Sequence, residues 1–169
     1  MVYSWLVMSD SRILTVEPMG RGLVTMAQCI VLDVGAFPFP SITFDIGHRN
    51  ASVRIWVARD PSDASGRVIG FLALLARREI EIVGLTVDAA ERRRGVGRAL
   101  LREAVAASCA ALPIVLHVSA SNSPAIGLYR SEGFAVRRRL VGYYSRGAYS
   151  DRGDALEMVW SGPAREPMG

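Results

Sequence analysis

Residues 85–110 restrict the fold more than any other stretch of the chain. Leu85-Thr86-Val87 ends an apolar, β-branched run, Arg92-Arg93-Arg94-Gly95-Val96-Gly97 follows as a basic glycine loop, and Arg98 to Ala110 carries helical periodicity. A strand that turns through glycines straight into a helix brings backbone N–H groups and the positive end of the helix dipole to one point. An anion fits there, and a diphosphate suits the shape. The Walker lysine and the dinucleotide G-x-G-x-x-G are both missing, which argues against the usual ATP and NAD loops. A tight strand-to-helix turn explains an isolated R-x-x-G-x-G as well, so its neighbours must decide.

Around this unit the pattern is α/β. Arg12 to Val16 reads as a strand and Leu23 to Val34 as a helix, and Phe37-Pro38-Phe39-Pro40 is a rigid connection with a short helix near Ser41. Val53 to Ala58 and Val68 to Ala76 read as a hairpin around the turn-rich Asp60 to Gly66. Glu79 to Val87, the helix Val96 to Ala110 and the buried strand Ile114 to Val118 form a strand, helix, strand crossover. Ser123 caps a helix over Ala125 to Glu132 that stops at Gly133, and Phe134 to Tyr143 and Ala155 to Trp160 are the last strands. There is neither a repeat nor a linker long enough to separate two domains, so residues 12–160 are expected to form one domain between an extension, 1–11, and a tail, 161–169.

Composition narrows the function. Half of the 169 residues are hydrophobic, yet Arg, Asp, Glu or Gly interrupts every run before the ~18 apolar residues of a membrane span. Met1 to Val7 lacks a basic n-region and contributes nothing recognisable, and Met8 could equally be the start; a cytoplasmic location is expected, with no membrane partner. Cys29 and Cys109 lie in apolar helical surroundings and suit buried structural thiols. With His48 and His117 as the only histidines, no metal is expected. All 20 basic residues are Arg, and the chain contains no Lys. Net charge is +4, but the arginines cluster at 92–94 and 137–139 rather than along one helix, which suits an anionic small ligand better than nucleic acid.

A second motif supports the loop. Leu116-His117-Val118-Ser119-Ala120-Ser121-Asn122-Ser123-Pro124-Ala125-Ile126-Gly127-Leu128-Tyr129 runs on to Gly133-Phe134, and with the R-x-x-G-x-G loop before it the sequence resembles the GNAT superfamily of N-acetyltransferases from Ile13 to Trp160. The resemblance implies a mixed, mostly antiparallel sheet of about seven strands flanked by helices. It also implies that residues 92–98 hold the coenzyme A pyrophosphate, that Leu85, Thr86 and Val87 pair with its pantetheine arm, and that Asn122 contacts that arm. Acetyl-CoA is then the co-substrate. Within the superfamily the sequence looks most like protein N-terminal acetyltransferases of the ribosomal-protein-alanine and methionine-start types. Ala36-Phe37-Pro38-Phe39-Pro40 resembles their substrate loop, and Gly142-Tyr143-Tyr144-Ser145 with Asp154-Ala155 resembles their ending, Gly142 replacing Asn.

An α-amine with a pKa of roughly 8 is mostly protonated at neutral pH and needs a base before it can attack a thioester. His117 stands where the methionine-start type carries its base; the bacterial type has Glu there. A histidine in an apolar strand can also be a buried, hydrogen-bonded core residue. Glu81 and Glu91 are rival bases, Glu91 occupying the position of a Tyr in the methionine-start type. Tyr129 can return a proton to the leaving thiolate, or serve only as a core aromatic beside Phe134. Phe37, Pro38, Phe39, Tyr143 and Tyr144 would line a slot for the first side chain of a peptide, or pack as core. Arg137 to Arg139 either steer acidic peptide positions or decorate an edge strand. The acceptor is therefore expected to be a protein or peptide N-terminus. A small-molecule amine such as a polyamine, amino acid or antibiotic is the alternative, and a catalytically weak acyl-CoA-binding regulator the third reading.

Overall fold

The structure, a computed structural model, describes residues 5–9, 12–19, 28–29, 53–108, 112–146 and 153–160. In chain order the described strands are Trp5–Ser9 (β1), Arg12–Pro18 (β2), Val53–Arg59 (β3), Val68–Ala76 (β4), Ile80–Val87 (β5), Ile114–Ser119 (β6), Phe134–Leu140 (β7) and Ala155–Trp160 (β8). Two helices are described from end to end, Val96–Ala107 (α1), between β5 and β6, and Ser123–Ser131 (α2), between β6 and β7.

These strands form a single sheet in the order β1-β2-β3-β4-β5-β6-β8-β7. Only β5 and β6 run parallel, because α1 carries the chain back across the sheet between them. Every other neighbouring pair is antiparallel. The α/β class, the mixed and mostly antiparallel sheet, the β3–β4 hairpin and the crossover are as expected. The sheet has one strand beyond the expected seven or so, because Trp5–Ser9 pairs with β2 from Trp5 opposite Val16 to Ser9 opposite Arg12. Five residues show too little alternation to mark a strand; pairing with β2 makes it one.

Strand alternation gives the sheet two faces. Leu72, Leu74, Ile82, Leu116 and Met158 pack on one with Val96, Leu100 and Leu101 of α1 and Ile126 and Tyr129 of α2. Ile55, Val57, Phe71 and Ala73 face the other, where Cys29 is buried among them as expected. At Val83 the two-residue rhythm breaks: Leu74 lies opposite Ile82 and Ala73 opposite Gly84, so the register skips Val83. This bulge reverses the alternation, and after it Leu85 and Val87 take the α1 side that Ile80 and Ile82 hold before it.

Local chemistry moves three element ends. β7 stops at Leu140 rather than continuing to Tyr143, because Gly142 turns the chain at φ 62° while its N–H donates to Asp154 Oδ1 at 2.9 Å; Tyr143–Arg146 is a short 3-10 turn. Gly and the Asn it replaces share this tolerance of the left-handed region. The cap of α2 is Asn122 rather than Ser123, its Oδ1 accepting from Ala125 N at 3.2 Å. Ser108 ends α1 after Ala107, its hydroxyl donating to Ala104 O at 2.6 Å. The expected helix Leu23 to Val34 is described only at Gln28 and Cys29, both helical. The helix near Ser41, the Phe37-Pro38-Phe39-Pro40 connection, His48, Cys109 and the tail from Ser161 lie outside the described residues. No helix among the described residues is long and apolar enough to cross a membrane.

Candidate functional site

The sheet opens between its two parallel strands. β5 and β6 pair only from Ile80 opposite Ile114 to Ile82 opposite Leu116. Beyond the bulge β6 is held on its other side by β8, from Val115 to Ser119, while Val83 to Val87 of β5 follow β4. The β5 edge between Val83 and Val87 thus faces an opening, with its backbone groups placed to pair with an extended amide-bearing chain. The Thr86 hydroxyl oxygen is buried without a hydrogen-bond partner among the described residues.

At the head of this opening Asp88 stops β5 and caps a 3-10 turn, Ala89–Glu91, by accepting from Ala90 N at 2.9 Å. Arg92 Nε donates to Val87 O at 3.2 Å, and Arg93 and Gly95 then take left-handed φ values of 62° and 79°. Gly95 caps α1, whose first-turn N–H groups at Val96, Gly97 and Arg98 lack acceptors within the helix. The Val96 side chain is buried in the core, so only its backbone can meet a ligand. A Cβ at Gly97 would lie 3.4 Å from Leu128 and 3.6 Å from Val87. Those distances are bearable, so close approach by a ligand is a better reason for glycine there. Arg92, Arg93 and Arg94 are exposed around the loop, whereas Arg98 bridges to Glu132 at 2.8 Å and ties α1 to α2. Donor-rich backbone, a helix N-terminus and three arginines together fit the pyrophosphate of coenzyme A. Gly95→Ala is expected to cost about 1 kcal/mol, because Ala resists positive φ. The KM for acetyl-CoA should rise several-fold in steady-state assays while that for the amine stays nearly constant.

Glu91 is almost fully buried, bonded to Arg67 Nη2 at 3.4 Å and to Arg94 Nη1 at 3.2 Å. It braces the loop. Glu81 lies at the other end of β5, roughly 20 Å of strand from Val87.

There the register assembles a second polar group on the sheet face opposite α1. Glu81 pairs across to Val115, two residues before His117, and His117 lies opposite Glu157 of β8. His117 Nδ1 is 3.2 Å from Glu81 Oε1, and its Nε2 is 3.3 Å from Glu157 Oε2. The Tyr143 ring stacks on the imidazole, with centroids 5.1 Å apart and planes 16° off parallel. Hydrogen bonding to Glu81 raises the His117 pKa above its ordinary 6.5, Glu157 adds to this, and burial opposes it. Glu157 itself is only 3% exposed and is held down to about 2, by Arg137 first and then by Arg138. The arginine run that could have steered substrate is thus mostly occupied: Arg137 bridges Glu157 and Glu79, Arg138 bonds Glu157, and Arg139 bonds Asp154.

Tyr129 is buried on α2 against Phe134, edge to face at 5.8 Å. Burial pushes its phenol up to about 12, with Tyr144 contributing, so the hydroxyl keeps its proton at neutral pH. Tyr144 also meets Tyr143 edge to face at 5.1 Å. The sequence-predicted His117, Glu81, Tyr143, Tyr144 and Tyr129 therefore form one connected region, and Glu91 belongs to the loop. Asn122 spends its carbonyl on the α2 cap and keeps its NH2 group for other acceptors. Beside Ser119, an open pocket of about 400 Å³ is lined by Ser119, Ala120, Ser121, Arg139, Gly153 and Asp154. Sequence reasoning missed Glu157. Its signal was a lone carboxylate within the apolar strand Ala-Leu-Glu-Met-Val-Trp.

The sequence matches the profile of the Acetyltransferase (GNAT) family over residues 29–134. It is 31% identical over 154 residues to the N-alpha-acetyltransferase RimI of Mycobacterium tuberculosis, covering 82% of this chain and 94% of that protein. It is 37% identical over 79 residues to the N-terminal acetyltransferase B complex catalytic subunit naa20 of Schizosaccharomyces pombe, covering 46% of this chain and 43% of that one. In fold it superposes on Arabidopsis thaliana NAA60 in complex with acetyl-CoA with a TM-score of 0.73 at 24% identity, over 87% of this chain and 97% of that one. The profile match and the RimI similarity, with a glycine loop and helix N-terminus at the head of a splayed sheet, lead to one conclusion: the chain belongs to the GNAT family and is an N-acetyltransferase that uses acetyl-CoA as its acyl donor.

Proposed function

We propose that the acceptor is the α-amine of a protein or peptide N-terminus. The observation that carries this reading is His117, set between Glu81 and Glu157 under the Tyr143 ring, level with the point where β5 and β6 part. The similarity to RimI, an N-alpha-acetyltransferase, and to naa20, the catalytic subunit of an N-terminal acetyltransferase B complex, supports it.

The backbone of residues 95–98 holds the pyrophosphate, and the β5 edge from Val87 back to Val83 pairs with the pantetheine arm. That edge is roughly 13 Å long, so it leads an extended arm towards the level of His117. Glu81, one-third exposed, draws the substrate ammonium to the imidazole. His117 takes a proton from the amine, whose nitrogen then forms the bond to the acetyl carbon. As the carbon–sulfur bond breaks, Tyr129 gives its proton to the sulfur, the second proton leaving the new amide nitrogen restores the phenol through solvent, and His117 releases the first proton to solvent. Tyr143 and Tyr144 wall the acceptor side, and the pocket beside Ser119 leaves room for the residues that follow the amine. Holding amine and thioester together supplies much of the rate, since positioning alone is worth about 7 kcal/mol or more.

The test is thiol release from acetyl-CoA with peptides beginning Met, Ala or Ser, beside spermidine and free amino acids. Peptide-selective turnover supports the reading; turnover confined to the small amines replaces it with the small-molecule one, and coenzyme A binding without turnover favours a regulator. In the same assay Tyr129→Phe is expected to lower kcat at least 10-fold and leave peptide KM within about twofold, because the ring's packing survives and only the proton donor goes. An unchanged kcat removes Tyr129 from the chemistry.

A further inference from the structure

The two carboxylates on His117 are unlike each other. Glu157 is buried, with Oε1 taking the Nε–H of Arg137 at 2.6 Å and Oε2 the Nη2–H of Arg138 at 2.8 Å. Two successive arginines reach one carboxylate because β7 bulges there: Val136 lies opposite Met158 and Arg138 opposite Glu157, so the register skips Arg137. Arg137 is anchored from behind by Glu79, at 2.9 and 3.3 Å. Glu157 can therefore neither swing away nor readily take up a proton. Glu81 is one-third exposed on the other side of the ring, at the end of a flexible side chain.

A neutral imidazole has one N–H and one lone pair, and an ionised carboxylate can only accept. The ring nitrogen that faces a fixed carboxylate must keep the proton. The nitrogen that faces a movable one can give it up when a substrate ammonium arrives. Resting on the reading of His117 as the base, we propose that Glu157 is its positioning carboxylate, fixing the proton on Nε2 so that Nδ1 is the atom that accepts the proton of the substrate amine. The arrangement has the logic of a base oriented by a third group. Among the described residues, the charged and titratable groups around the ring are Glu81 from β5, Glu157 from β8, Arg137 and Arg138 from β7, Glu79 ahead of β5, and Tyr143 and Tyr144 from the 3-10 turn. Removing the charge of Glu157 withdraws support from the imidazolium and moves the acid limb of the rate profile to lower pH.

The test combines 15N NMR of the histidine-labelled full chain with pH–rate profiles. His48→Gln assigns the His117 signals. Above the pKa of His117 the wild type is expected to show the Nε2–H tautomer. Glu157→Gln is expected to lose that preference, to lower kcat roughly 10- to 10²-fold, and to move the acid limb of kcat/KM to lower pH, with peptide KM little changed. A wild-type Nδ1–H tautomer overturns the proposal without any variant, so it stays testable even if Glu157→Gln does not fold. A folded Glu157→Gln with an unmoved limb also overturns it. Full activity in His117→Ala overturns the base assignment itself, whichever tautomer is seen.

Discussion

Replacing His117 with alanine is expected to lower kcat/KM for peptide acetylation by roughly 10²- to 10⁴-fold, the range a positioned general base contributes. What remains is the part that does not need the ring: in the proposed binding mode the loop at residues 95–98 still holds the pyrophosphate and β5 still guides the arm. The KM for acetyl-CoA should hold. The pH dependence adds a sign. Only neutral imidazole accepts a proton, so the rate rises as pH increases through the His117 pKa, and with that pKa raised chiefly by Glu81 the acid limb lies above 6.5. Stability runs the other way, because a pKa raised by folding stabilises the protein fully below the unfolded value and the gain is lost as pH climbs through the folded one. The working form of the proposed base is thus the less stable form, and a bound substrate ammonium can restore the charge that the imidazole gives up. Steady-state rates between pH 5.5 and 9 on wild type and His117→Ala (roughly the span over which a histidine titrates) test both points. A His117→Ala enzyme within threefold of wild type, or a wild-type limb below pH 6, ends the assignment.

The loop, the crossover and the sheet class were legible because each is written locally. Gly95 and Gly97 follow an apolar strand and precede a helix, and every step of that reading uses residues within about ten positions of one another. Tyr129 and His117 were legible through the second motif, again a short run. Glu157 and its arginines were not. The 40 positions between His117 and Glu157 close only through β6–β8 pairing, and the double hold of Arg137 and Arg138 exists only because a bulge shifts β7 by one residue. Periodicity reads Phe134 to Tyr143 as one strand and cannot place a bulge inside it. The same limit put Glu91 beside the base candidates. It is a carboxylate next to the glycine loop in sequence, but its partners Arg67 and Arg94 hold it under the loop as a brace. Trp5–Ser9 failed for a third reason, since a five-residue edge strand depends on its neighbour β2 for its definition.

The second large effect concerns the scaffold beneath the loop. Leu100 lies on α1, fully buried, with Val96, Ala99, Leu101 and Ala104 on the stripe that packs against β4 and β5. Leu100→Ala is expected to destabilise the protein by about 2–5 kcal/mol, combining the lost transfer of the side chain with the cavity left in a rigid neighbourhood. For a domain whose whole stability is about 5–15 kcal/mol this is a large share. Urea unfolding should show a lower midpoint at nearly constant slope. The opposite face of the same helix provides the control. Arg102 is exposed and pairs with Glu132 at 2.7 Å, and Arg102→Ala should cost no more than about 1 kcal/mol. The contrast also reaches function. α1 carries the N–H groups of the proposed phosphate loop at its first turn, and Leu100 sits one turn further on, so a helix that settles into the cavity tilts those donors. Leu100→Ala, assayed where it is still folded, should raise the KM for acetyl-CoA more than the KM for the amine, whereas Arg102→Ala should change neither. Equal rises in both KM values would mean that the loop tolerates movement of α1, and that its own backbone turns at Arg93 and Gly95 are enough to hold the donors in place.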